Sequence, residues 1–258
     1  MSAVEMMADE IAGALDGARR QAAPLQLLSG LDEAGVDEGY CVQRAQIALN
    51  QARDNGITGW KAAMSNRPAM ERFGLQKPIY APLFADMCLH SEVLSLQRVI
   101  APKLEAEVLF VLHEDIVAAQ CSDEQIINAI GALAPAFEVA DSRMAGWRFN
   151  IATFVADLAV ASHYRLGELQ PFDAGLAFDD IDCVLAFDGT AQSGSVDNVI
   201  GGPLGSMVGM VRDIVARYGE VKAGQHFLSG SLTKPLDMVT GTTYCLRMFG
   251  QQLKLEYR

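Results

Sequence analysis

Hydrophobic and polar positions alternate most clearly over residues 104–112. In an extended chain Leu104, Ala106, Val108, Phe110 and Leu112 share one face, while Glu105, Glu107, Leu109 and Val111 share the other. Both faces are largely apolar, the pattern of a strand covered on both sides. Two carboxylates at neighbouring positions of a covered face repel, and each gives up hydration that costs several kcal/mol. The pattern therefore predicts a positive charge between Glu105 and Glu107.

Elsewhere the period changes. Val4, Met7, Ala8, Ile11 and Leu15 recur at helical spacing, as do Val36, Tyr40, Ile47 and Ala48 in looser phase, with Asn55-Gly56 as a stop. "SDEQIINAIGAL" predicts another helix, with Ser122 as N-cap and Gln125 completing a capping box. "GGPLGSMVGMVRDIVARYGE" predicts one more, with Pro203 in the first turn and Gly219 just past the end. Strand-like runs cover 105–112, 136–140, 181–187, 225–228, 242–248 and 251–257, with Asp188-Gly189 and Phe249-Gly250 as turns. The runs do not alternate strictly with helices, so the expected class is α+β. A helical N-terminal part over 1–80 leads into a mixed-sheet catalytic body over 81–258, as one continuous domain.

Composition narrows the partners. Half of the 258 residues are hydrophobic and a fifth are charged, which suits a well-cored soluble protein. A formal net charge of -12 argues against nucleic acid and anionic membranes, and an anionic substrate then needs a local cation. The five cysteines are scattered without a CxxC pair, which points to reduced thiols in a cytoplasmic protein without a zinc site. The acidic N-terminus lacks an apolar core, so no signal peptide is expected, and no apolar run approaches the roughly 18 residues of a membrane span.

A third carboxylate stands in "LAPAFEVADSR", where Glu138 lies on another apolar run. Glu105, Glu107 and Glu138 can converge on one hard divalent cation, Mg²⁺ or Mn²⁺. The alternatives are an amphipathic helix, or pairing with arginines such as Arg143. Spacing alone leaves these open.

Five blocks in register decide further: "GWKAAMS" at 59–65, "LEAEVLFVL" at 104–112, "PAFEVADSR" at 135–143, "VADLAVAS" at 155–162 and "LSGSLTKP" at 228–235. Together they resemble the 2-keto-4-pentenoate hydratase (2-hydroxypenta-2,4-dienoate hydratase) and 4-oxalocrotonate decarboxylase family of the fumarylacetoacetate hydrolase superfamily, from about residue 40 to the C-terminus. The resemblance implies a roll of mixed β-sheets ringed by helices, a divalent metal on Glu105, Glu107 and Glu138, and a catalytic Lys61. A 2-oxo acid chelates such a metal through its carboxylate and oxo oxygens, which stabilises an enolate. Lys61 then holds the carboxylate or moves a proton; without the resemblance it reads as a surface lysine. Ser231 and Thr233 are candidate substrate donors, or an ordinary Gly-Ser turn.

The chain also departs from the family. Ala63 replaces a glycine of the lysine block, and in "KPIYAP" Ile79 stands where hydratases carry an aspartate, with Ala81 for glycine. Leu158, Val160 and Ala161 replace an asparagine and two serines, so the pocket, with Ile79 and Val160 in its wall, is expected to be apolar and to lack a cation at its distal end. The four histidines show no ligand spacing and read as surface or turn residues. No block matches the His–Glu pair of the superfamily's hydrolases.

The first expectation is a lyase that hydrates 2-hydroxypenta-2,4-dienoate to 4-hydroxy-2-oxopentanoate in aromatic-compound catabolism. A 4-oxalocrotonate-type decarboxylase is the alternative, and "PIY" at 78–80 looks more like that branch. A divergent hydrolase or tautomerase and a non-catalytic partner subunit stand behind these. The family and the apolar N-terminal helices imply a homo-oligomer, with a partner enzyme of the same family as a further expectation.

Overall fold

A computed structural model describes residues 3–26, 28–117, 120–176, 178 and 181–258, with the side chains of 3–5, and so the apolar contact expected of Val4, outside the described set. Helices α1 (Ala3–Gln21) and α2 (Val36–Gln51) pair at the N-terminus. Among the described residues, Ile11 and Leu15 of α1 and Tyr40 and Val42 of α2 are buried. Ile11, Leu15 and Val42 close a small core over Ala152 and Ala156, so the greasy surface expected of these helices is covered within the chain itself.

From Ile57 the chain enters the sheets. It runs through β1 (Ile57–Ala63), α3 (Arg67–Phe73), β2 (Ile79–Phe84), β3 (Val93–Leu94), β4 (Lys103–Leu112), α4 (Asp123–Asn128) and β5 (Ile130–Ala140). Then follow α5 (Ile151–Ala156), β6 (Ala161–Leu166), β7 (Gln170–Pro171), β8 (Val184–Phe187), β9 (Thr190–Ser193) and α6 (Gly202–Tyr218). Strands β10 (His226–Ser231), β11 (Leu236–Asp237), β12 (Thr243–Met248) and β13 (Gln251–Tyr257) complete it. The larger sheet has the order β2-β1-β10-β4-β5-β6, with β11 on β4 and β7 on β5; the smaller has the order β3-β13-β12-β8-β9. Both are mixed, since β1 runs parallel to β10 and β13 parallel to β3. The α+β class holds.

Three expectations need correction. The expected helical part contains β1 as well as α1, α2 and α3, and its boundary at residue 80 falls inside β2. Strands β1 and β2 are buried on both faces over most of their length, so neither shows the alternation that would have marked it. The helix expected over "SDEQIINAIGAL" keeps its capping box but stops at Asn128, because Ile130 and Leu133 pair with Leu112 and Phe110 of β4. Tertiary pairing overrides local propensity there. Finally, Val196–Tyr218 does reach the length and mean hydropathy (1.3) of a membrane span. Met207, Met210, Val211 and Ile214 of α6 are fully buried in the main core, so its apolar character is that of a core helix.

Candidate metal centre

Strand register assembles the three glutamates. Glu105 lies directly opposite Glu138 across β4 and β5, and Glu107 sits two residues further along β4, so all three point to one face. The adjoining strand β10 supplies a donor through a bulge. Leu228 pairs with Leu109, but Ser231 pairs with Glu107, which leaves one residue extra on β10. That bulge turns the Gly230 N–H toward Glu107 Oε2 at 2.8 Å. Gly230 has φ of 105°, and a Cβ there would come within 2.3 Å of Ser65 Oγ, so only glycine fits.

One carboxylate oxygen from each glutamate lies within 4.8 Å of the other two. Glu107 and Glu138 are fully buried, and Glu105 opens on a cavity. Among the described residues, neither Glu107 Oε1 nor Glu138 Oε2 has a polar partner. Buried Lys61, from β1, pairs with Glu138 Oε1 at 2.7 Å, and its Nζ donates to the Ala159 carbonyl at 3.1 Å. One ammonium thus faces three carboxylates.

The charges show the imbalance. Burial, then Glu138, pushes Glu105 up to about 7. Burial, then Glu138 and Glu105, holds Glu107 well above the carboxylate range, with Lys61 and the Gly230 N–H offsetting only part. Burial lowers Lys61, but Glu138, Glu105 and Glu107 together outweigh it and leave the ammonium strengthened. Orphaned buried oxygens, an all-carboxylate donor set and a deficit of positive charge are what a hard divalent cation satisfies. The positive charge expected between Glu105 and Glu107 is therefore only half supplied by protein.

A cavity of about 210 Å³ opens above the cluster. Lys61, Glu105, Asn66, Lys103, Ser231 and Thr233 form its polar side, and Met64, Trp147, Phe149, Phe154 and Val160 its apolar wall. Lys61, Val160, Ser231 and Thr233 all line this cavity. Ser231 also keeps the turn role, since its hydroxyl donates to the Thr233 carbonyl at 2.8 Å, while Thr233 Oγ1 accepts from the Ala106 N–H at 3.2 Å. Ile79 is a correction. It lies on the edge strand β2, with β1 and β10 between it and β4, and lines a separate depression beside Tyr40, Leu75 and Arg217.

Three further residues depart from expectation. Lys103 reaches the cavity with its Nζ 5.1 Å from the Trp147 ring centre while pairing with exposed Asp237, so the pocket does have a second cation. Its position at the head of β4, two residues before Glu105, was the available signal. Arg143 pairs with Asp157 instead of the glutamates. His163 is buried against Ser162 Oγ at 2.8 Å, and burial pushes its imidazole down to about 3, so it is a core residue and not a surface one.

No family model matches the chain. It is 27% identical over 227 residues to a 2-keto-4-pentenoate hydratase from Paraburkholderia xenovorans, covering 87% of this chain and 84% of that protein. It is 27% identical over 216 residues to a 4-oxalocrotonate decarboxylase from a Pseudomonas species, covering 83% and 81%. Both relatives are lyases. The structure of 4-oxalocrotonate decarboxylase from Pseudomonas putida, complexed with magnesium and adipate, superposes with a TM-score of 0.91 over 98% of each chain at 22% identity. The fold implied by the sequence blocks is the fold observed.

Proposed function

We propose that this chain, a member of the 2-keto-4-pentenoate hydratase and 4-oxalocrotonate decarboxylase family, is a divalent-metal-dependent lyase that hydrates 2-hydroxypenta-2,4-dienoate to 4-hydroxy-2-oxopentanoate. The observation that carries this reading is the set of orphaned carboxylate oxygens beneath a half-apolar cavity. Glu105, Glu107 and Glu138 would hold Mg²⁺ or Mn²⁺. Either ion supplies Lewis acidity toward the chelating oxygens of a 2-oxo acid. Lys61, kept protonated by its glutamate neighbours, is placed to hold the substrate carboxylate or to carry the enol proton. In the net reaction oxygen bonds to C4, C5 gains a proton, and the enol proton passes to C3. Val160, Phe154 and Phe149 suit the uncharged vinyl end, and they limit solvent to the cavity mouth. A soluble, cytoplasmic enzyme of aromatic-compound breakdown fits this chemistry. The intact Lys61 and glutamate set argues against a silent partner subunit.

One observation favours a second reading. Removing CO₂ from a 2-oxo diacid requires a cation for the distal carboxylate, and Lys103 is such a cation, tied only to an exposed aspartate. The decarboxylase of like fold is itself complexed with adipate, a dicarboxylate. Hydration stays first because most of the distal wall is apolar. The test supplies 2-hydroxypenta-2,4-dienoate and 4-oxalocrotonate separately with Mg²⁺. Loss of the dienoate without CO₂ release supports hydration; CO₂ from the diacid, with the mono-acid untouched and the reaction lost in Lys103→Met, transfers the assignment to decarboxylation.

A further inference from the structure

Three consecutive residues behind the metal centre adopt a conformation that L-amino acids avoid. Leu158, Ala159 and Val160 have φ of 52°, 48° and 57°, and none is glycine. Each carries the clash between Cβ and backbone that disfavours the left-handed region. Strain of this kind persists only where the surroundings over-determine it.

The surroundings join one buried guanidinium to two backbone bonds, from the Asp141 N–H to the Val160 carbonyl at 2.8 Å and from the Val160 N–H to the Asp157 carbonyl at 2.9 Å. Arg143 Nη1 donates to the Asp141 carbonyl at 2.6 Å and to the Ala161 carbonyl at 2.8 Å. Its Nη2 donates to the Asp157 carbonyl and its Nε pairs with the Asp157 carboxylate. The other Asp157 oxygen accepts from the Arg143 N–H at 3.0 Å and from Ser142 Oγ at 3.3 Å. The carbonyls just before and just after the turn, those of Asp157 and Ala161, are therefore tied to the same side chain. Leu158 and Ala159 are fully buried, which blocks relaxation by sliding. What the turn presents is the Ala159 carbonyl, which accepts from Lys61 Nζ.

We infer that the Arg143–Asp157 pair is a positioning device for Lys61: it holds the left-handed turn Leu158–Val160 so that the Ala159 carbonyl keeps the ammonium at a set place beside the glutamates and the cavity. A lysine ammonium is a compact charge on a flexible stem, and three carboxylates on one side draw it inward. A neutral carbonyl on a rigid turn opposes that pull without adding charge. Arg143 and Asp157 do not line the cavity, so they act through Lys61. The inference rests on Lys61 serving the proposed lyase.

The test is a graded series in the full-length protein: Ser142→Ala, Asp157→Asn and Arg143→Lys, with Lys61→Met as control. For each variant that melts cooperatively, kcat and KM for the dienoate are measured with Mg²⁺, together with Mg²⁺ affinity by calorimetry. Acetylation of Lys61 by acetic anhydride is followed by mass spectrometry in metal-free protein. We expect kcat to fall in series order, by at least about tenfold for Arg143→Lys, the scale on which small misplacements act, with KM and Mg²⁺ affinity within about twofold. Lys61 acetylation should rise several-fold in the same order, a readout independent of the substrate assignment. Adding Ala159→Gly to Arg143→Lys removes the Cβ clash and should restore part of kcat. If Arg143→Lys does not fold, Ser142→Ala and Asp157→Asn still decide. Lower melting temperature with unchanged kcat per folded molecule and unchanged Lys61 acetylation overturns the inference and leaves the pair a structural support. Full activity in Lys61→Met instead overturns the role of Lys61, and an inactive wild type overturns the hydratase reading.

Discussion

At the scale of single residues the cluster is an unfinished charge balance. Glu107 is fully buried with one oxygen held by Gly230 and the other free. Glu107→Gln removes a ligand charge and should weaken Mg²⁺ binding by at least about tenfold, or ~1.4 kcal/mol. In metal-free protein the same change should raise the melting temperature, because it relieves repulsion from Glu138 and Glu105. Calorimetry with and without EDTA checks both, and unchanged Mg²⁺ affinity would remove Glu107 from the site. A pH dependence follows from Glu105, which stands near 7 in the folded protein against an ordinary value of 4.5. The folded state holds more protons than the unfolded chain between those values, so metal-free stability falls as pH rises through that window. Mg²⁺ displaces those protons. The Mg²⁺-induced rise in melting temperature should therefore grow from the lower value to the upper, and a flat or shrinking rise contradicts the linkage.

At the scale of elements the β10 bulge matters most. Without the extra residue, Gly230 would not turn its N–H to Glu107, and Ser65 would not find room beside it. Gly230→Ala meets both a left-handed φ and a contact of 2.3 Å, so it should destabilise by roughly 2 kcal/mol or more. Because the N–H shifts with the bulge, Mg²⁺ affinity should fall with stability. Gly224→Ala is the matched control, since Gly224 has a similar φ of 79° but open space around its Cβ position; an equal loss of Mg²⁺ affinity in both variants would mean that the close contact at Gly230 has no special role.

For the whole molecule, the N-terminal helices are spent on their own core with Ala152 and Ala156. Exposed large apolar residues such as Met6, Leu96, Val117 and Val239 are separated in sequence. The homo-oligomer is accordingly a proposal from family likeness, without an apolar N-terminal stripe behind it. Sedimentation at micromolar concentration should show more than one copy per particle. A monomer with full activity would show that each chain completes its own site.

Local periodicity in the sequence already determined which residues share a face. Alternation along 104–112 put Glu105 and Glu107 together, and Pro203 with Gly219 bounded α6, because these features depend on backbone geometry over a few residues. The five blocks in register singled out Lys61 and Glu138 as candidates. Strands β1 and β2 stayed hidden because burial on both faces erases a two-residue period. Only the tertiary structure decided that Glu138 lies opposite Glu105, that Ile79 lines a different depression, and that Lys103 is a second pocket cation. It alone showed that Arg143 serves Asp157 and not the glutamates. Register between strands far apart in sequence, and the reach of each side chain from its strand, come from packing the whole chain. No local pattern encodes either.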